Sequence, residues 1–296
     1  MGKVAFKNWI QAARPKTLLV SMAPVIMSVA LASIYMKINW LPAIICLFFA
    51  VMAQILSNMV NDYADGVKGI DKNRIGPQRM VASGIISPEQ MRKGIIVIGA
   101  LAFLIGCTLI YWGGWGLLPI GIVILLVALA YSTGPFPLSQ HAFGDVAVVL
   151  FYGIIPVILT FFIQTGFVNT QFFIAGLAIG LISDNLLIVN NVRDAEEDSK
   201  NGKKTTVTVF GKPFMRCVYY LNPLIAIALG FLFFNGIMSP WNWIIIILPF
   251  LVFTTFVSIR FSKAKGMELN KLIGLSSLES ILFSIIIVII ILFKYV

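Results

Sequence analysis

Residues 43–71 read "AIICLFFAVMAQILSNMVNDYADGVKGID". The first part is apolar enough to lie in lipid, and the last eleven residues hold three carboxylates, Asp62, Asp65 and Asp71. Backbone groups in hydrocarbon must be satisfied within the segment, so the apolar part is read as a helix. Its acidic end then falls where a membrane helix meets water. A membrane fold follows from the first half of this stretch, and the question of function from the second.

The rest of the chain agrees with a membrane fold. Of 296 residues, 59% are hydrophobic and only 11% charged, too few polar side chains to cover a water-soluble body of this size. Crossing the hydrocarbon core takes about 20 mostly apolar residues. Nine runs of roughly that length can be drawn, near 17–36, 40–60, 95–115, 116–132, 146–166, 170–190, 218–238, 241–259 and 272–293. The expected fold is therefore all-α: a multi-pass bundle of about nine transmembrane helices around a central cavity, forming one domain over 1–296. The basic start "MGKVAFKNWIQAARPKT" leads into a long apolar run without a cleavage signal and is read as a retained first helix.

The charge is distributed unevenly. The N-terminus carries four Lys or Arg, the second-to-third and sixth-to-seventh connections six each, and the eighth-to-ninth four. That puts twenty of the twenty-two on one side, with only Lys37 and Lys294 opposite. The positive-inside rule makes the rich side cytoplasmic, in a prokaryotic cytoplasmic (inner) membrane. A basic face toward anionic membrane lipid accounts for the net charge of +10 without a nucleic-acid partner. Cys46, Cys107 and Cys217 lie in or beside apolar runs without metal-type spacing and are read as packing residues.

The polar chemistry gathers in two long loops of that face, near 61–94 and 191–217. In the first loop, Ser87, Pro88 and Gln90 fit a helix-starting capping box. "NMVND" at 58–62 and "NNVRD" at 190–194 share the pattern Asn-x-Val-x-Asp, end apolar helices on the same side and lie four helices apart. A parallel four-helix pseudo-repeat is the reading, with its motifs at 58–71 and 190–198. Asn58, Asp62 and Asp65 fall on one helix face, Asn61 and Asp65 form another i, i+4 pair, and Asn190, Asp194 and Asp198 repeat the spacing beside Glu196 and Glu197.

Like charges a few ångströms apart repel by about 4 kcal/mol at an effective dielectric near 20. Such a cluster is therefore partly protonated, holds cations, or is simply two solvated helix ends. Oxygen donors without nearby His or Cys suit Mg²⁺. Lys68, Lys72, Arg74 and Arg79 flank the first site, and Arg193, Lys203 and Lys204 the second. Carboxylates, a divalent metal and flanking cations together suggest a clamp for a lipid diphosphate.

At these residues the chain resembles the UbiA superfamily of intramembrane aromatic prenyltransferases. The first signature is "NDYADGVKGID" and the second "DAEED" at 194–198. The flanks "AARPKTL", "GPQRMVASGIIS", "YSTGPFPL" and "NNVRDAEEDSKNGKKT" are similar to the naphthoate branch. So is the third acid of the first motif, Asp71, because the benzoate branch has it four residues after Asp65, at Gly69 here. The resemblance implies a lipid-open cavity and transfer of a polyprenyl group from polyprenyl diphosphate to 1,4-dihydroxy-2-naphthoate, with loss of CO₂ on the menaquinone route. It assigns Asn61, Asp62, Asp65, Asp71, Asn190, Asp194 and Asp198 to Mg²⁺, with Asp65 and Asp194 as the catalytic pair. Arg79, Lys203 and Lys204 go to the diphosphate, and Tyr131 to the acceptor site.

Three ionisable residues stand apart. Asp184, about 15 Å along the sixth helix from Asp194 at ~1.5 Å per residue, either orients the acceptor or bonds a neighbouring helix. Glu279 is read as a structural hydrogen-bond partner, and His141, the sole histidine, as an ordinary loop residue rather than a catalytic base. Competing readings are an acceptor such as 4-hydroxybenzoate, a CDP-alcohol phosphotransferase, and a non-enzymatic transporter. The phosphotransferase core Asp-Gly-x-x-Ala-Arg is not matched, because "VKGI" follows Asp65-Gly66. A transporter predicts open access on both faces and mid-membrane polar residues in both halves, whereas here polar chemistry crowds one face, with Asp184 and Glu279 as the main exceptions.

Overall fold

The computed structural model describes residues 4–69, 76–235 and 238–295. It is helical, with no strand among the described residues. In chain order the α-helices are α1 (Phe6–Ala13), α2 (Pro15–Ala32), α3 (Trp40–Lys68), α4 (Pro88–Thr108), α5 (Ile110–Gly113), α6 (Leu117–Ala130), α7 (Gly144–Val149), α8 (Ile155–Thr165), α9 (Gln171–Lys200), α10 (Thr206–Phe210), α11 (Lys212–Phe234), α12 (Pro240–Lys263) and α13 (Leu269–Tyr295). A π-helical turn, Leu150–Ile154, joins α7 to α8 in one apolar rod.

Among the described residues, eight helices are long and apolar enough to cross a membrane. The ninth expected run is α6, whose 14 residues reach only about 21 Å at ~1.5 Å per residue. The nine runs thus correspond to eight full-length candidates and one short helix that packs beside α3 and α4. The expected cap of α4 is present: Ser87 Oγ accepts from the Gln90 N–H and Gln90 Oε1 from the Ser87 N–H.

Both helices that carry the motifs are long. α3 has 29 residues and α9 has 30, roughly 43–45 Å each at 1.5 Å per residue. That exceeds the ~30 Å hydrocarbon thickness, so the helical spacing of the motifs continues past the apolar stretch. α3 stops at Gly69, whose φ of 71° is a left-handed cap that glycine takes without steric cost. α9 stops at Asn201 and Gly202, and the chain turns back so that the Lys203 N–H donates to the Asp198 carbonyl at 2.8 Å.

α9 is the most buried of the candidate spans. Gly176 and Gly180 let it press against the π turn and α7. A Cβ on Gly180 would lie 2.6 Å from the Val149 carbonyl oxygen, and one on Gly176 2.6 Å from the Ile154 Cα. α13 crosses α2 through small residues as well, with Ser284 Oγ donating to the Ala23 carbonyl at 2.8 Å. These contacts close one side of the bundle. On the other, α2, α3, α6, the α7–α8 rod and α9 surround an open interior.

Candidate active site

The end of α3 is built by hydrogen bonds that leave little freedom. Asp62 is only 2% exposed, and its two carboxylate oxygens accept the N–H groups of Met80 (3.0 Å) and Val81 (2.9 Å). This folds the 79–84 turn onto the helix. Gly66 makes the contact feasible, since a Cβ there would lie 2.8 Å from the Val81 Cβ. Arg79, at the start of that turn, is buried and lines the cavity. Arg14 approaches from the other side. It precedes Pro15, which disfavours the right-handed helical conformation, and its φ of 54° breaks the chain between α1 and α2. Its Nη2 donates to Asn61 Oδ1 at 2.7 Å. Asn61 Nδ2 donates in turn to Ser132 Oγ at 3.0 Å and to Asp65 Oδ2 at 3.3 Å.

The second motif is organised by Arg193, whose side chain is fully buried. Nε and Nη2 form a two-pronged bond to the Asp194 carboxylate, each at 2.7 Å. Nη2 also donates to Asn190 Oδ1, and Nη1 to Asn270 Oδ1 at 2.9 Å. The two motifs meet at Lys203. Its ammonium lies 3.5 Å from Asp198 Oδ1 and 3.9 Å from Asp65 Oδ2. Asp65 is 2% exposed, and its other oxygen, Oδ1, is buried without a hydrogen-bond partner.

Most of these groups, Asp62 among them but not the buried Asp65, line a cavity of about 520 Å³, within the usual range for a small-molecule site. Asn61, Arg79, Asn190, Asp194, Asp198 and Lys203 line its polar end, and Val25, Cys46, Phe49, Leu109, Leu117 and Ile163 its apolar end. From Asp62 to Cys46 along α3 is about 24 Å at ~1.5 Å per residue. Tyr152, in the π turn, also lines the cavity and donates to Gln54 Oε1 of α3. A charged head and a long apolar tail would each find their environment here.

Residues 21–278 match the model of the UbiA prenyltransferase family. The chain belongs to the UbiA prenyltransferase family. Over 249 residues it is 32% identical to the 1,4-dihydroxy-2-naphthoate octaprenyltransferase of Escherichia coli, covering 81% of this chain and 80% of that one. It is 30% identical to the enzyme of the same name from Haemophilus influenzae, over 94% of both chains. Among solved structures it superposes on a UbiA homolog from Archaeoglobus fulgidus bound to GPP and Mg²⁺. The TM-score is 0.66 at 17% identity, covering 95% of this chain and 99% of that one, a likeness of fold. This UbiA family member is an integral membrane protein with a UbiA-type bundle.

Within this UbiA fold the residues singled out in the sequence separate into groups. Asn61, Asp65, Asn190, Asp194, Asp198 and Lys203 come together, and Arg79 and Tyr131 line the same cavity. Asp71, Lys72 and Arg74 lie outside the described residues. The oxygens of Asp62 are engaged by the 79–84 turn. Lys204 is exposed and does not line the cavity. Its backbone pairs with the 140–142 turn, the Ala142 N–H donating to its carbonyl at 2.7 Å. His141 stacks on Phe136, with Nδ1 2.9 Å from the Pro137 carbonyl oxygen, and is not in the cavity wall. Glu279 is fully buried and accepts from Thr254 Oγ1 at 2.7 Å, the structural role expected of it. Asp184 also faces a neighbouring helix, accepting from Asn222 Nδ2 of α11 at 3.5 Å.

Sequence reasoning counted Arg14 only as basic charge and read Arg193 as a flanking cation of the diphosphate clamp, and so missed that Arg14 bonds Asn61 and that Arg193 holds Asp194 and Asn190. It also passed over Asp145 and Thr206. The signal for Arg14 was its place before a proline at a helix break. For Arg193 it was a cation inside an acidic helical motif rather than in the loop after it.

Among the described residues no three His, Cys, Asp or Glu side chains converge as a ready-made metal cage. The arrangement is instead a partial shell of hard oxygen donors from two helices, with one buried, unpartnered Asp65 oxygen. That suits Mg²⁺, which takes one or two carboxylates and completes its octahedron with water and phosphate oxygens.

Proposed function

We propose that this protein transfers a polyprenyl group from polyprenyl diphosphate to 1,4-dihydroxy-2-naphthoate, with loss of CO₂, giving demethylmenaquinol, the hydroquinone form of demethylmenaquinone. The observation that carries the reading is the meeting of the two acidic motifs on Lys203 at the polar mouth of a long apolar cavity. The names of the Escherichia coli and Haemophilus influenzae relatives support the naphthoate acceptor, and the GPP- and Mg²⁺-bound relative supports a metal-held diphosphate.

In this reading Asp65, Asp194 and Asp198 hold Mg²⁺, with Asn61 and Asn190 as further oxygen donors. Asp71 completes the set by its motif position. Bound there, Mg²⁺ would neutralise charge on the diphosphate as it leaves. Lys203, Arg79 and Arg14 hold diphosphate oxygens and favour the charge that builds as the allylic C–O bond breaks. Arg193 orients Asp194 and Asn190 through its fork. The apolar walls align the prenyl chain and keep water from the allylic carbon, and Tyr131 lies against the acceptor ring. Lys204, exposed and turned to the 140–142 turn, contributes bulk positive charge rather than a contact. The Lys and Arg bias supports a mouth on the cytoplasmic side of the cytoplasmic membrane.

The test is purified protein in lipid nanodiscs with Mg²⁺, a polyprenyl diphosphate and either 1,4-dihydroxy-2-naphthoate or 4-hydroxybenzoate. Prenylated naphthol with release of CO₂ is expected, and Asp65→Asn and Asp194→Asn should abolish it while leaving the protein folded. Prenylation of the benzoate alone would reassign the acceptor. Full turnover in either variant would remove the metal site.

A further inference from the structure

Asp145 opens α7, directly after the loop that follows α6, and lines the cavity. One of its oxygens is fixed: Thr206 Oγ1 donates to Oδ2 at 2.8 Å. The other, Oδ1, is buried and has no hydrogen-bond partner. Leaving a carboxylate oxygen unpaired in an apolar, membrane-embedded interior is costly, and such residues mark functional positions. Asp145 belongs to neither acidic motif, and among the described residues no cation is paired with it.

Its surroundings suit a flat aromatic guest. The preceding residue, Gly144, has no side chain, and a Cβ there would lie 3.3 Å from both the Tyr131 hydroxyl and Leu187 Cδ2. Tyr131, Gly144, Asp145, Leu187 and Thr206 thus form one patch of the cavity wall that offers hydroxyls and one free carboxylate oxygen, with the buried Asp184 carboxylate of α9 near both Asp145 and Tyr131. Thr206 fixes both the orientation and the distance. It follows Thr205, which caps α10, and lies three residues after Lys203, at most ~10 Å of extended chain. A ring held at Asp145 is therefore within a short reach of a diphosphate held at Lys203.

We propose that Asp145, oriented by Thr206, is the base that takes and then returns the proton of an acceptor hydroxyl. This rests on the hydroxyarene acceptor proposed above. Oδ1 accepts the hydroxyl proton, and the oxygen's electron pair moves into the ring. The ring carbon that bears the carboxylate forms its bond to the allylic carbon as the C–O bond to the diphosphate breaks. The diphosphate departs with the bonding pair. CO₂ then leaves, its C–C pair restores the aromatic ring, and Asp145 gives the proton back to the oxygen. Asp145 ends as it began, and no oxidant or external acid is consumed.

The experiment uses the full chain in nanodiscs with Mg²⁺ and polyprenyl diphosphate. Asp145→Asn keeps the shape and an acceptor for Thr206 but cannot take a proton. A positioned base is typically worth ~10²–10⁴-fold, so kcat should fall at least about 100-fold with donor KM within about threefold. The two mono-O-methyl ethers of the acceptor provide the discriminating readout. With the ether that blocks the reacting hydroxyl, wild type and Asp145→Asn should turn over equally slowly. Thr206→Val should lose about tenfold in kcat, and Thr206→Ser should restore it.

The assignment is overturned if Asp145→Asn keeps kcat within threefold, if the variant-to-wild-type ratio is the same for hydroxyl and both ether acceptors, or if donor KM rises as much as kcat falls. Should Asp145→Asn fail to fold, the Thr206→Val and Thr206→Ser pair decides by the same ether comparison. If wild type prenylates no hydroxyarene at all, the acceptor reading itself fails and this role with it. An active wild type with an unimpaired Asp145→Asn sinks only this role.

Discussion

Asp65 of α3 and Asp198 of α9 lie 133 positions apart in the chain yet face one ammonium, that of Lys203, at 3.9 and 3.5 Å. The neighbouring Lys204 is turned outward, its backbone bonded to the 140–142 turn. Two adjacent lysines thus have opposite fates, set by the Gly202 turn with its φ of 69°. A hydrogen bond to a charged group is worth about 1.5–3 kcal/mol, roughly 10- to 150-fold in binding. Lys203→Ala should raise the KM for polyprenyl diphosphate by that order, and Lys204→Ala by less than about threefold. Steady-state kinetics on both variants, side by side, checks the contrast, and equal effects would refute it.

Asp62 shares a motif with Asp65 but does different work in the structure. Both its oxygens are bonded to the turn that begins with Arg79. Asp62→Asn replaces one acceptor by a donor that faces an N–H, at a cost of about 1–3 kcal/mol. The turn should loosen and Arg79 with it. The expected result is a raised donor KM with the Mg²⁺ concentration for half-maximal activity unchanged. Asp65→Asn should instead eliminate Mg²⁺-dependent turnover. A Mg²⁺ titration of Asp62→Asn that shifts tenfold or more would return Asp62 to the metal.

These two residues also mark the limit of what the sequence discloses. Apolar length and helical spacing are local properties, so the spans, the continuation of α3 and α9 past the membrane and the two acidic faces could all be read in one dimension. The partners of Asp62 could not, because they depend on where the 79–84 turn returns. Arg193 reads as a flanking cation for the diphosphate until its bonds to Asp194 and to Asn270, 77 positions later, are seen. Asp145 falls at the edge of an apolar run, and only the return of Thr206 makes it a site. α6 was legible as apolar, but its shortness depends on the turn at Tyr131–Ser132 that brings Ser132 to Asn61.

Glu279 makes a different prediction from the carboxylates at the mouth. It joins three helices, accepting from Thr254 of α12 and lying within 3.5 Å of the Tyr219 hydroxyl of α11. Glu279→Ala leaves a cavity and an unpartnered Thr254 hydroxyl, together worth about 2–4 kcal/mol. The Tm in detergent should fall by several degrees while donor and acceptor KM stay within about twofold. Glu279→Gln, which keeps an acceptor for Thr254, should lie close to wild type. Loss of activity in Glu279→Gln without loss of stability would give this residue a chemical role.

The packing of α9 on the π turn supplies the last test. Gly180 faces the Val149 carbonyl, and a Cβ there would lie 2.6 Å from that oxygen and 3.1 Å from the Val149 Cα. Backbone cannot yield as a side-chain tip does, so Gly180→Ala must move α9 or the π turn, and overpacking of this kind typically costs about 1–3 kcal/mol. Tyr152, in that turn, is hydrogen-bonded to Gln54 across the cavity, so the wall moves with it. Gly121 of α6 also lines the cavity, but a Cβ there meets nothing within 4 Å, and Ala has the better helix propensity by about 1 kcal/mol. Gly180→Ala should therefore lower Tm and turnover together. Gly121→Ala should hold or raise Tm and leave turnover intact. Thermal scans with prenyl-transfer assays on the two variants distinguish a shaped cavity wall from a helix interface that tolerates any small residue.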